Sequence, residues 1–287
     1  RQGVDLKELL AKADFVRHRD VATVPDYMSQ VVSALLDPDA FKGAEVKSLP
    51  RFSKLLKGFR KGELTVFTGP TGAGKTTLLT QISLDLAGDN HKVLWGSFEM
   101  RNEVLIRKML QIYTGSTLAQ LQDTRRENLE KSIADLASRP LYFLTYHGAT
   151  DMKRILDALD YTVKVENVEH IIIDNLQFMT GGSGLNVWDR QDQCISELRA
   201  FATHHDVHIT LVIHPRKEPD GQRLGLSSVF GTAKATQEAD NVVILQMDSV
   251  GQKQLDLMKN RFDGKLGNVG ISFNESLGIF LENGIET

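Results

Sequence analysis

Gly69-Pro70-Thr71-Gly72-Ala73-Gly74-Lys75-Thr76 matches G-x-x-x-x-G-K-[ST], and Thr77 follows it. Glycines at this spacing let successive backbone N–H groups point inward around phosphate oxygens, with the start of the next helix adding its positive dipole end. Lys75 is then expected to reach the β- and γ-phosphates and Thr76 to ligate magnesium. The run from Gly69 to Thr77 is therefore the expected nucleotide-binding segment. The competing reading is a glycine-rich strand-to-helix turn that holds nothing.

Magnesium in such a loop needs a carboxylate. His170-Ile-Ile-Ile-Asp174 is an apolar strand ending in one, so Asp174 pairs with Thr76 as the expected metal site. Hydrolysis also needs a group that orients or deprotonates water. Glu99 follows the strand candidate KVLWGSF, 24 residues after Lys75 (99 − 75). Ligands in open α/β sheets sit beyond the carboxyl ends of the strands, which places Glu99 well for a base. From spacing alone it is equally a helix-start glutamate complementing the dipole.

These residues need a sheet to hold them. ELTVFTG, KVLWGSF, LYFLTYH, HIIIDNL, HITLVIH and NVVILQM are near-continuous apolar strand candidates. Helical segments follow most of them: one from Lys75, RNEVLIRKMLQIY, DMKRILDALDYTV and WDRQDQCISELRAFATHH. Apolar strands alternating with helices describe a mostly parallel sheet covered on both faces. NVVILQM, QLDLMKN and VGISFN lack helices between them and read as an antiparallel edge. Ahead of the sheet, residues 5–17 and PDYMSQVVSALL read as helices, the second with Pro25 in its first turn, and DPDAFKGAEVKSLP as a connector. The expected domains are 1–49, linker and connector, and 50–287, the nucleotide-binding core.

The chain has 287 residues, a net charge of −3, 41% hydrophobic and 25% charged residues. That supports a real core and excludes a polycation, so any nucleic-acid affinity must come from local basic loops. One cysteine, Cys194, cannot form an internal disulfide; it reads as a buried helix residue. His204-His205-Asp206-Val207-His208 reads as a solvated turn between helix and strand, not a metal site. No apolar run is long enough for a membrane span. A chain opening at Arg1 is expected to be a fragment. MKNRFDG, residues 258–264, puts Lys259 and Arg261 on one side of a short strand with no evident anion to serve.

The blocks GELTVFTGPTGAGKTT, LWGSFEM, IIIDNLQFM, DVHITLVIHPRKEPD, GTAKATQEADNV and KNRFDG together resemble the DnaB-like, RecA-fold hexameric helicases, and among them the Twinkle-type mitochondrial replicative branch, over roughly residues 50–275. The resemblance implies a RecA-like P-loop core. It also implies a hexameric or heptameric ring that hydrolyses ATP or another nucleoside triphosphate with Mg²⁺ at its subunit interfaces. Such a ring moves 5′ to 3′ on single-stranded DNA and unwinds forks, with a replicative polymerase and a single-stranded DNA-binding protein as partners, no membrane insertion, and a mitochondrial-matrix or else bacterial or phage cytoplasmic setting.

By the same resemblance Glu99 is the catalytic glutamate, and His214 the sensor of the γ-phosphate. Arg261 is an arginine finger given to the neighbouring subunit's nucleotide, with Lys259 beside it; such a finger is worth about 10³ to 10⁵ in rate. Arg216, Lys217 and Arg223 after His214, with Gly231, Thr232 and Lys234, are the expected DNA-backbone contacts. Phe273 matches an aromatic half of a base clamp whose arginine half falls at or near Met247. The helix at 5–17 matches a linker helix that docks on an adjacent subunit, and reads equally as a helix packed on its own domain. The alternatives are a recombinase-like ring or filament ATPase, an ATP-gated single-stranded DNA binding or annealing module, and a small-molecule kinase.

Overall fold

The computed structural model describes residues 21–37, 39, 41–148, 150–179, 186–216, 222–229 and 234–284. The expected helix at 5–17, and Lys217, Gly231 and Thr232, lie outside them. Two compact units divide the chain at Lys42 and Gly43. In the first, helix α1 (Val24–Leu36) begins at Thr23, whose backbone N–H and hydroxyl both meet the Asp26 carboxylate, with Pro25 in the first turn. Tyr27, Met28, Val31, Val32 and Leu35 on α1 are exposed.

Among the described residues, the second unit is built on one nine-stranded sheet. Its strands are β1 (Leu64–Thr68), β2 (Val93–Ser97), β3 (Leu141–Phe143), β4 (His170–Asp174), β5 (His208–Val212), β6 (Asn241–Met247), β7 (Lys253–Asn260), β8 (Gly267–Asn274) and β9 (Ile279–Glu282). They lie in the order β3-β2-β4-β5-β1-β6-β7-β8-β9. From β3 to β6 every pairing is parallel, and from β6 to β9 every pairing is antiparallel. The antiparallel edge is therefore β7, β8 and β9. Strand β6 is parallel to β1, and β9 has no counterpart in the sequence reading.

The helices are α2 (Pro50–Leu56), α3 (Lys75–Gly88), α4 (Asn102–Thr114), α5 (Leu118–Asp123), α6 (Arg126–Ala137), α7 (Met152–Glu166), α8 (Val187–His205) and the one-turn α9 (Lys234–Glu238). Alternate residues of each central strand enter opposite cores. Leu64, Val66, Ile171, Ile173, Ile209 and Leu211 pack with Ile155, Leu159, Ile195 and Leu198 of α7 and α8. Phe67, Trp95, Ile172, Val212 and Val243 pack with Leu78, Leu79, Ile82 and Met109 of α3 and α4. A strand buried on both faces must be apolar throughout, which is why these strands read as runs and not as alternation. Strand β3 keeps only three residues of the expected LYFLTYH, and α2, α5 and α6 were not anticipated. Helix α5 has six residues and buries Leu121, and α6 has twelve and buries Leu136, so their apolar signal is thin.

The turn expectation for 204–208 is corrected at its end. His208 is fully buried, its ring 4.7 Å from that of His170 and 5.0 Å from that of Phe59. Burial pushes His208 down to about 4 and holds His170 well below the usual imidazole range. Among the described residues no cluster of three His, Cys, Asp or Glu side chains forms a metal site, and no helix is long and apolar enough to cross a membrane. Cys194 is buried, its thiol pushed up to about 12 by desolvation.

Candidate functional site at the strand ends

Strand β1 is buried at all five positions and runs straight into the glycine loop, which feeds α3 at Lys75. Two glycines are obligatory here. At Gly69 (φ +156°) a Cβ would lie 2.2 Å from the Leu245 carbonyl oxygen, and at Gly74 (φ +105°) 2.7 Å from Phe280 Cζ. The loop is thus pressed between β6 and β9, with Pro70 and Thr71 exposed on its outer side. Lys75 donates to the loop carbonyls of Gly69 (2.7 Å) and Pro70 (3.0 Å). Burial lowers its proton affinity, while Asp174 and Glu99 oppose that shift.

The topology brings the distant acidic residues to this loop. With β4 between β2 and β5, the carboxyl ends of β1, β2, β4 and β5 open on the same side. Asp174, the last residue of β4, accepts a 2.7 Å hydrogen bond from the Thr76 hydroxyl. Desolvation raises the Asp174 carboxyl above its usual range, with the Thr76 hydrogen bond pulling the other way. One carboxylate and one hydroxyl in contact suit magnesium, which usually takes one or two protein ligands and fills its octahedron with phosphate oxygens and waters.

Glu99 lies just past β2, its side chain 57% exposed, so water has access to it. Its Oε2 accepts from the Asn175 amide at 2.7 Å. The same amide nitrogen, which can only donate, stands 2.9 Å from His214 Nε2, and His214 Nε2 is 3.6 Å from Glu99 Oε2. Asn175 is fully buried. It therefore links the expected base to the expected sensor, a role that no local pattern around the Asp-Asn pair signals.

Phe273 is partly exposed on β8 and its ring centroid is 5.1 Å from that of Phe280, the ring packed against Gly74. The residue opposite Met247 in the β6–β7 register is Lys253. Its amine donates to the Ala73 carbonyl at 3.1 Å and stands 6.0 Å from the Phe273 ring centroid and 5.3 Å from that of Phe280. A cation thus stands beside the aromatic after all, from the strand paired with the expected one.

Lys259 and Arg261 are elsewhere. Strand β7 runs antiparallel to β6, so Asn260 pairs with Asn241 at the start of β6. The Arg261 backbone N–H donates to the Asp240 carbonyl, and the Asp240 N–H to the Leu64 carbonyl at the start of β1. The Arg261 guanidinium bonds Asp240 Oδ1 (3.2 Å) and the Gln237 carbonyl (2.7 Å), and its side chain is half exposed. Lys259 caps α9 through the Thr236, Gln237 and Ala239 carbonyls. The turn itself is fixed by Asn260 and Lys57 on Asp263. Both cations thus sit at the opposite end of the sheet from the glycine loop.

Of the expected DNA contacts, Arg216 is exposed and joined through its N–H to the Ser228 carbonyl. Arg223 is paired with the buried Asp256 carboxylate at 3.0 Å, and Lys234 with Glu238 at 3.0 Å.

Fold and strand-end grouping together define a RecA-like α/β P-loop nucleotide-binding domain. The chain belongs to the AAA domain family, whose model matches residues 33–220. Replicative DNA helicase DnaB of Helicobacter pylori strain 26695 is 25% identical over 272 residues, 87% of this chain and 55% of that protein. The DnaB of strain J99 is 26% identical over 244 residues, 79% of this chain and 50% of that protein. The chain thus spans about half the length of these curated relatives. Among solved structures, one isolated ATPase domain superposes with a TM-score of 0.80 at 17% identity, covering 91% of this chain and 99% of that one. A DnaB-like replicative helicase, solved in a study of its interactions with primase, gives 0.76 at 19%, covering 96% and 70%. The curated relatives are bacterial, so the mitochondrial setting rests on the motif resemblance alone.

Proposed function

We propose that this chain is the motor domain of a ring-forming replicative DNA helicase that hydrolyses ATP between subunits. The observation that carries the reading is the split site. Lys75, Thr76, Asp174, Glu99 and His214 converge at one end of the sheet, while Arg261 stands level with Leu64 at the other. From Leu64 to Thr68 is four residues, about 13 Å at roughly 3.3 Å per residue, and the glycine loop lies beyond. A half-exposed arginine that far from its own glycine loop supports a role at the nucleotide of a neighbouring copy.

In this reading the nucleotide anchors on the glycine loop, and Lys75 turns from the Gly69 and Pro70 carbonyls to the β- and γ-phosphates. Thr76 and Asp174 would hold Mg²⁺, which supplies charge neutralisation of the phosphate oxygens. Glu99, fixed by Asn175, takes a proton from the attacking water as its oxygen bonds to the γ-phosphorus and the bond to ADP breaks. The neighbour's Arg261 stabilises charge on the transferring group. Loss of the γ-phosphate is felt at His214, which shares Asn175 with Glu99 and leads directly through Pro215 into the chain carrying Arg216. Arg216, Lys217, Gly231, Thr232 and Lys234 are the proposed contacts to the DNA backbone, with Arg223 held back by Asp256. Exposed apolar residues on α1, and an apolar groove lined by Ile106, Leu118, Leu121 and Ile133, suit helix docking between copies. The Twinkle-type branch is carried by blocks such as IIIDNLQFM and KNRFDG.

Unwinding of a forked duplex with ATP and magnesium tests the proposal. The expected result is strand separation that needs a 5′ single-stranded tail and is lost in Lys75→Ala. Rings that hydrolyse ATP and bind DNA without unwinding would leave the annealing or recombinase-like reading in its place.

A further inference from the structure

We propose that Lys108 is a second phosphate-binding lysine, taking an oxygen of the nucleotide's α-phosphate while Lys75 takes the β- and γ-phosphates. The inference rests on the nucleotide site proposed above and adds to it a residue from α4.

Lys108 projects from the middle of α4 to the first turn of α3, where its amine donates to the Thr77 hydroxyl at 2.8 Å. Thr77 is the third residue of α3, so its backbone N–H belongs to the free N-terminal set of that helix. Adjacent helix residues point about 100° apart. Thr76 turns toward Asp174, toward the expected metal, and Thr77 turns toward Lys108. The two hydroxyls therefore mark two sides of the phosphate cradle. The Thr77 side opens on a cavity of about 230 Å³, lined also by Gln111, Phe273 and, as its one carboxylate, Glu275. With Phe273 as the base platform, the stretch of nucleotide between base and β-phosphate must pass Thr77, and that stretch is the α-phosphate and ribose.

The electrostatics favour an anion at the same place. Lys108 is more than half buried, and desolvation lowers its proton affinity, opposed only by Asp174 at longer range. Among the described residues no carboxylate lies within 4 Å of its amine. A desolvated ammonium without a counter-ion is unfavourable until an anion arrives. Lys75 is in the same condition on the other side of the α3 start. Two partly desolvated amines and a helix N-terminus make one polyanion site.

The test measures ATP and ADP affinity calorimetrically, with magnesium, for wild type, Lys75→Ala and Lys108→Met. The α-phosphate is common to both nucleotides. Lys108→Met should therefore weaken both by the same factor, about tenfold to a hundredfold for one charge-assisted hydrogen bond. A loss confined to ATP would place the amine on the γ-phosphate and overturn the assignment. Unchanged affinity for both would reduce Lys108 to a tie between α3 and α4. Wild-type protein that binds neither nucleotide would sink the nucleotide site itself, a result distinguishable from either. Should Lys108→Met not fold, amine acetylation of wild type read by mass spectrometry decides. ADP should slow labelling of Lys108 about tenfold, and equal labelling with and without ADP refutes the contact.

Discussion

Because Glu99 and Arg261 stand at opposite ends of one sheet, two dead variants should revive each other. Arg261→Ala removes the cation offered to a neighbour, a loss expected to reach about 10³ to 10⁵ in hydrolysis. Glu99→Gln removes the base in its own chain and costs about 10² to 10⁴. In rings assembled at one-to-one from the two, a working interface needs a Glu99 chain facing an Arg261 chain. Each condition is met half the time, so about a quarter of the interfaces in a closed ring are complete. DNA-independent ATPase activity should then recover to about a quarter of wild type, at least tens of times above either variant alone. Native mass spectrometry of the same samples reports whether mixed rings formed. A mixture that contains mixed rings yet hydrolyses no faster than the mean of its two components would refute the shared site. Arg261, level with Leu64 and so about 13 Å short of the end of β1, would then need an intrachain route to the phosphate.

Asn175→Ala should free Glu99 and His214 from each other, lowering turnover about tenfold to a hundredfold, the cost of one hydrogen bond to a charged group, with nucleotide affinity retained. Turnover within twofold of wild type, in a protein with unchanged melting temperature, would leave Asn175 with a structural role only. Acid should destabilise the fold through His208. Its imidazole is neutral in the folded chain down to about 4 but protonates near 6.5 when unfolded, so the unfolded state binds more protons between those values. Stability is complete above pH 6.5 and falls as pH drops toward 4, by at most about 3.4 kcal/mol from this one group (6.5 − 4 = 2.5 units at about 1.36 kcal/mol each). Urea unfolding at pH 7, 6, 5 and 4 measures it, and a His208→Gln protein with the same pH slope as wild type would disprove the assignment.

The glycine loop, Asp174 at the end of its strand, the parallel α/β sheet and the start of α1 at Pro25 were all legible in the sequence. Each is written within five to ten consecutive residues, where backbone requirements and burial dictate residue type directly. Glycine at 69 and 74 answers a close approach and a positive φ, and HIIID is apolar because both of its faces are covered. Glu99 and Arg261 were candidates from local pattern and resemblance, but their separation to opposite ends of the sheet follows from strand direction. The sequence shows β7 as a strand running against β6, but only the register, Asn260 opposite Asn241, sets Arg261 level with the start of β1.

Tertiary structure alone decided the rest. Asn175 reaches residues 76 and 39 positions away in the chain, Lys108 reaches 31, and Lys253 reaches 180. A lysine on an amphipathic helix, or at the end of a strand, has the local signature of a solvated charge, and only packing against the loop gives it a ligand to wait for. His208 reads as part of a polar turn for the same reason: its burial comes from Phe59 and His170, brought over it by strand order. Short-range geometry sets which residues are able to do chemistry here, and the order and direction of nine strands sets which of them meet.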